Sequence, residues 1–244
     1  MLAKLAITHL LNDTVGGAVT QLMQTVGYHP ANPAAPIDDT FALELLVVAG
    51  LIVFFLIVRL TLSVEKPNGA QQIAEMIHEF TGSQSEQVIG HGYERFQAFV
   101  TCVALFILLN NCLGLIPGII TPTSQPVVPL GVAVLTFLYY NYYGVREQGP
   151  IGYLKHFAGP LWWLAPLLFP IEVISHLARM MSLTIRLFAN MLASDLITLV
   201  AFSLVPIVIP VLGLGLHFAV SLIQAYVFML LAMIYLSQAV AHEH

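Results

Sequence analysis

The apolar region from about residue 161 to residue 236 constrains this chain more than any other feature. It holds about 76 residues, whereas one membrane helix needs about 20 to cross the hydrocarbon core. Two upright spans would leave much of it unused. Pro206, Pro210, Gly213 and Gly215 mark a turn or break near its middle. The region therefore reads as a hairpin of two over-long helices that must tilt steeply or protrude. Inside it, "SLTIRLFANMLASDLITLV" (Ser182–Val200) carries Arg186, Asn190 and Asp195. An arginine at the centre of a membrane helix costs about 2.5–3.5 kcal/mol on insertion scales. Such a placement needs a compensating role.

The rest of the chain also reads as membrane protein. Of its 244 residues, 58% are hydrophobic and 9% are charged, against about 25% charged in a soluble domain. "FALELLVVAGLIVFFLIVRLTL" (41–62) is a first span and "FQAFVTCVALFILLNNCLGLIPG" (96–118) a second. A third covers about 128–143 and closes on "YYNYY", aromatics suited to an interface. Between the first two lies the most polar stretch, 65–96. There Ile73, Ile77 and Phe80 fall at helical spacing and predict an interfacial amphipathic helix. Arg146 and Lys155 follow the third span in a polar loop with room for a short surface helix. The expected architecture is an all-α polytopic membrane protein with about five transmembrane helices plus interfacial ones. Its parts are an N-terminal segment (1–40) broken by Pro30, Pro33 and Pro36, peripheral helices and loops (41–160), and the hairpin (161–244).

Several functions are excluded. A net charge of −5 without a basic run argues against nucleic acid as a partner. Cys102 and Cys112 are about 80° apart on a helix, so they read as small buried hydrophobes, not a metal or disulfide pair. No Gly-rich phosphate loop exists, and no cofactor motif is present. No cleaved signal peptide is expected, because the N-terminus lacks a basic stretch followed by a short apolar run and a cleavage site. There is no internal repeat of the kind inverted-repeat transporters carry. Basic residues flank the loops after the first and third spans (Arg59, Lys66, Arg95; Arg146, Lys155) and not the loop between the second and third. The positive-inside rule makes the basic loops cytoplasmic, with the N-terminus outside and the C-terminus inside. That distribution and the compact chain fit a bacterial plasma membrane.

On a helical wheel, Glu172, His176, Arg179, Arg186 and Asn190 share an arc of about 80°. Asp195 sits off this arc, nearer the outer end. On the second hairpin helix, His217, Ser221, Gln224 and Tyr235 form a matching stripe. Two such stripes on adjacent helices can line one path. Blander roles exist for several members. Glu172 and Arg179 can form a structural contact, Arg179 can snorkel to the interface, His217 can be a satisfied core histidine, and Tyr235 can anchor at the interface. The Glu172-x-x-x-His176 pair has no second pair to complete a metal site. Arg186 resists a bland reading, because its own helix offers no carboxylate at three or four residues' distance. Its partner must come from elsewhere.

"SLTIRLFANMLASDLI" resembles the signature of the a subunit of F-type ATP synthases, an arginine in a Ser-Leu-x-x-Arg-Leu-Phe-x-Asn-Met frame with an acidic residue nine positions on. Asp195 fills that acidic position. The C-terminal "LIQAYVFMLLAMIYLSQAVAHEH" resembles the family's final helix, with Gln224 in place and His217 seven residues earlier. The resemblance covers about residues 40–244. It implies a non-catalytic, proton-conducting stator lying against a ring of c subunits, with b-type peripheral stalk subunits, the rest of the synthase and membrane lipid as partners. Arg186 would be the fixed charge that ring carboxylates meet. Asp195, His217, Asn190 and Gln224 would serve an outer half-channel, and Glu172 and His176 an inner one. Two rival readings are a secondary proton-coupled transporter and a structural scaffold. The first wants repeated halves, and the second leaves the polar stripe unexplained.

Overall fold

The computed structural model describes residues 6–25, 36–116, 118–158, 165–204 and 208–240. Seven α-helices account for most of them: α1 (Ala6–Thr25), α2 (Asp39–Leu60), α3 (Gly69–Ile89), α4 (Glu94–Leu113), α5 (Val127–Ala158), α6 (Ala165–Leu204) and α7 (Val208–Val240). A 3-10 turn, Pro122–Ser124, lies between α4 and α5. There is no strand among the described residues. The protein is an all-α polytopic membrane protein. Four helices, α2, α4, α6 and α7, are long and apolar enough to cross a bilayer.

The expected third span is helical, yet α5 is not one of those four. Tyr139, Tyr140, Asn141, Tyr142 and Tyr143 dilute its apolar character. The helix also runs past the expected loop, to a break at Gly149, whose φ of 74° is open chiefly to glycine. A helical stretch continues to Ala158 and takes the place of the expected surface helix.

Three helix ends show a local cause. Asp38 accepts a hydrogen bond from Asp39 N at the start of α2, and Asn68 does the same for Gly69 N at the start of α3. Gly90, at φ 80°, terminates α3. The N-terminal segment, read as mixed and proline-broken, contains α1. Asn12 ties α1 to the chain entering α2 by bonding both the N–H and the C=O of Ile37 (3.0 and 3.1 Å). Pro30 and Pro33 lie outside the described residues.

The expected amphipathic helix is α3, and its burial follows from its composition. Ile73, Met76 and Phe80 are exposed, whereas Gln71, Thr81, Gly82 and Ser85 are buried. The small polar face packs inward through Thr101–Thr81 (2.9 Å) and Gln97 Nε2 to His78 O (2.7 Å). Such close contact needs Gly82, where a Cβ would lie 2.8 Å from Gln97 Nε2. The apolar face is left for lipid, as an interfacial helix requires.

α6 and α7 form the expected hairpin. α6 ends at Leu204 and α7 begins at Val208; Pro206, between them, lies outside the described residues. Pro210 sits in the first turn of α7, where a missing N–H costs little. Gly213 and Gly215 lie within α7 rather than at the turn. The helices have 40 and 33 residues, or about 60 and 50 Å, well beyond a hydrocarbon core of about 30 Å. Contacts Gly213–Ala201, His217–Ser194, Gln224–Asn190 and Gln238–Arg179 fix an antiparallel register along almost the whole pair. Apolar packing backs the hairpin on one side. Ile107, Leu187, Met191 and Phe228 fill one cluster, and Phe96, Val100, Met229, Met233 and Leu236 a second. Within a bilayer this close fit, rather than exclusion of water, holds helices together.

Candidate functional site

The polar residues of the hairpin sort into two clusters with Arg186 between them. Asp195 and His176 lie nine and ten residues from Arg186 along α6, which is about 14 and 15 Å.

The cluster expected at the outer end, the outer cluster, centres on His217, which is fully buried. Its Nε2 lies 3.0 Å from the carbonyl oxygen of Asn111. A carbonyl can only accept, so Nε2 carries a hydrogen toward Asn111. Nδ1 faces Ser194 Oγ at 3.0 Å and Asp195 Oδ1 at 3.5 Å. Asp195 Oδ1 also accepts from Thr121 Oγ1 at 2.7 Å. Gly114 makes this convergence possible, because a Cβ there would sit 2.0 Å from Thr121 Oγ1 and 2.8 Å from the imidazole. One turn inward, Asn190 Nδ2 donates to Gln224 Oε1 at 2.9 Å. Four buried polar atoms in this region, Asn111 Nδ2, Asp195 Oδ2, Thr198 Oγ1 and Gln224 Nε2, make no hydrogen bond among the described residues. Polar groups so placed take up water.

The inner cluster joins three helices. Glu172 Oε1 is approached by His176 Nε2 (3.5 Å) and Arg179 Nη2 (3.7 Å). Arg179 also donates to Gln238 Oε1 at 3.0 Å and lies 5.8 Å from the Tyr235 ring centre. The expected Glu172–Arg179 contact is therefore present, and the half-exposed guanidinium also reaches α7. Tyr235, read as a candidate interface anchor, is part of the helix junction, 5.9 Å from Tyr140.

Arg186 differs from every residue in these clusters. It is exposed on α6 and forms neither a hydrogen bond nor an ion pair among the described residues. Leu183 and Leu187, to either side, are buried, while Ile185 is exposed with it. The hairpin thus presents an exposed cation on α6 without a hydrogen bond or ion pair among the described residues. No group of metal-ligating side chains occurs among the described residues.

A known family shares this chain's sequence. The family model described as "ATP synthase A chain" matches residues 42–237, which takes in α2 through most of α7. The chain belongs to that family. A protein of Koribacter versatilis named "ATP synthase subunit a" is 49% identical over 241 residues, covering 99% of this chain and 98% of the relative. One of Solibacter usitatus with the same name is 45% identical over 235 residues, 96% and 100% of the two chains. A third, of a Geobacter species, is 39% identical over 216 residues, 88% and 93%. As a member of the ATP synthase A chain family, the chain is a component of the ATP synthase complex.

Of the residues expected to act, Asp195 and His217 are neighbours, as are Asn190 and Gln224, and Glu172 and His176. The wheel missed partners on other elements: Asn111 and Thr121 beside the outer cluster, and Tyr140 beside the inner one. Asn110-Asn111 inside an apolar span was the same kind of signal as Arg186. The linker "IITPTSQPV" gave none, since nothing in an uncharged segment says that Thr121 and Thr123 are fully buried.

Proposed function

We propose that the hairpin is the stator half of a proton-driven rotary motor, carrying protons through two offset half-channels to and from carboxylates on an adjacent ring of c subunits. The observation that carries this reading is Arg186, an exposed cation on a membrane-length helix that forms no hydrogen bond or ion pair among the described residues. An opposite charge supplied by another chain would stabilise a cation placed there. Attraction to it favours the ionised form of each ring carboxyl as it passes. A site then releases its proton on approach and takes another after leaving. The same positive charge repels protons and separates the two half-channels. Arginine suits the task because it stays charged when poorly solvated, whereas lysine is readily neutralised.

Outside, protons enter by Asp195 and His217, where Nδ1 and the carboxylate oxygen lie close enough to exchange a proton, and pass inward by Asn190 and Gln224. Inside, Glu172 and His176 return them to the cytoplasm. Each proton brings about 2.3 kcal/mol per 100 mV of membrane potential. This chain makes no ATP itself; the nucleotide chemistry belongs to the rest of the complex. With α5 as a fifth crossing, the N-terminus is outside and the C-terminus in the cytoplasm of a bacterial plasma membrane, and b-type stalk subunits hold the chain against rotation. Purification in mild detergent tests the assembly. The chain should co-migrate with a ring of small proteolipid subunits and with stalk subunits, whereas a secondary transporter would run alone or with copies of itself.

A further inference from the structure

The inner cluster contains a contact that the half-channel reading leaves unused. Tyr140 of α5 is 2% exposed, and its hydroxyl lies 2.9 Å from His176 Nδ1. The other ring nitrogen, Nε2, faces Glu172 at 3.5 Å. The two rings are 22° from parallel with centres 5.8 Å apart, so the imidazole is held by a ring face as well as a hydroxyl. We infer that Tyr140 is a positioning residue of the inner half-channel, whose hydroxyl fixes the His176 ring so that Nε2–H points at Glu172.

This rests on reading Glu172 and His176 as part of the proton path. A hydroxyl both donates and accepts. Tyr140 donates to Nδ1 when the imidazole is neutral and accepts from Nδ1–H when it is charged, and Nε2–H faces Glu172 in both states. The partner on one nitrogen thus decides what the other presents. The other described ionisable groups beside this ring are placed differently. Glu172 lies on its far side, Arg179 approaches Glu172 Oε1 at 3.7 Å, and the Tyr235 ring of α7 lies beyond Tyr140. Without the hydroxyl, a neutral His176 divides between two tautomers. In the Nδ1–H form a lone pair faces the carboxylate and the pair separates. A charged imidazolium has hydrogens on both nitrogens, so it keeps the Glu172 contact unaided.

The test is Tyr140→Phe in the intact complex, which keeps the ring and its packing. ATP-driven proton pumping in inverted vesicles should fall by about twofold to tenfold at the alkaline end of the pH profile, the range one buried hydrogen bond supports. At the acid end the variant should match the parent. In a His176→Gln background Tyr140→Phe should add nothing. Nitrogen NMR of histidine-labelled complex, with His176→Gln used for assignment, should find Nε2 protonated in the parent and a tautomer mixture in Tyr140→Phe. A deficit equal at every pH, additive losses, or an Nδ1–H tautomer in the parent overturns the inference. If Arg186→Ala uncouples the complex while Tyr140→Phe leaves the pH profile unchanged, the positioning role alone fails and the half-channel reading stands.

Discussion

Replacing Gly114 with alanine puts a methyl group where the outer cluster is tightest. The new Cβ would lie 2.0 Å from Thr121 Oγ1 and 2.8 Å from both Cε1 and Nε2 of His217. Thr121 and His217 are fully buried, so neither can swing into solvent. Something must move, and the atoms nearest are the donor to Asp195 and the donor to Asn111 O. Overpacking of this kind costs about 1–3 kcal/mol, and each buried polar group left without its partner a further 1–3 kcal/mol, roughly. A tenfold change in rate corresponds to about 1.4 kcal/mol. Proton pumping by Gly114→Ala should therefore fall at least about tenfold. The assay is ATP-driven acidification of inverted vesicles, normalised to the amount of assembled complex. Gly131→Ala is the control, since nothing lies within 4 Å of a Cβ there, and it should pump like the parent. A fully active, assembled Gly114→Ala complex would refute the claim that His217 must hold this position.

Asp195→Ala and His217→Ala should each slow proton-driven ATP synthesis by about tenfold or more while leaving assembly intact, and the exchange of the two residues should recover part of the rate; unaltered pumping in both single variants removes them from the path. For orientation, Cys102 and Cys112 are first replaced. Ser83→Cys, on the exposed side of α3, should then react with impermeant thiol reagents only from the cytoplasm, and Gln125→Cys only from outside. Gln125 is preferred to Ser124, which is buried. Labelling of Ser83→Cys from outside in sealed cells contradicts the five-crossing topology.

What the sequence made legible depended on contrast. Arg186, Asn190 and Asp195 stood out because ionisable and amide groups are costly in an apolar run, and the 3.6-residue period placed them relative to one another. The hairpin followed from the length of 161–236 together with the proline and glycine residues near its middle. Its turn was less sharply marked, because Gly213 serves the close approach of α7 to Ala201 and Thr198 while looking like a breaker. Tertiary partners were harder. The group that orients His217 is a backbone carbonyl of Asn111, which any residue would supply. Tyr140 looked like an interfacial aromatic because four tyrosines surround Asn141, and only the fold separates the one that turns inward. The spacing marked α3 as amphipathic without saying which face packs; small hydroxyl and amide groups make the polar face the packed side.

The central claim is that the Arg186 charge both forces ring carboxylates to release their protons and blocks leakage between the half-channels. The most direct measurement is passive proton flux through vesicles bearing assembled Arg186→Ala complexes from which the catalytic head has been stripped, alongside ATP synthesis before stripping. The account predicts that synthesis is abolished and passive flux rises above that of the parent, with the subunit present at normal levels. Arg186→Lys should retain part of the barrier and synthesise poorly. A purely structural arginine predicts loss of the subunit without a leak. A well-assembled Arg186→Ala complex that remains fully coupled contradicts the mechanism.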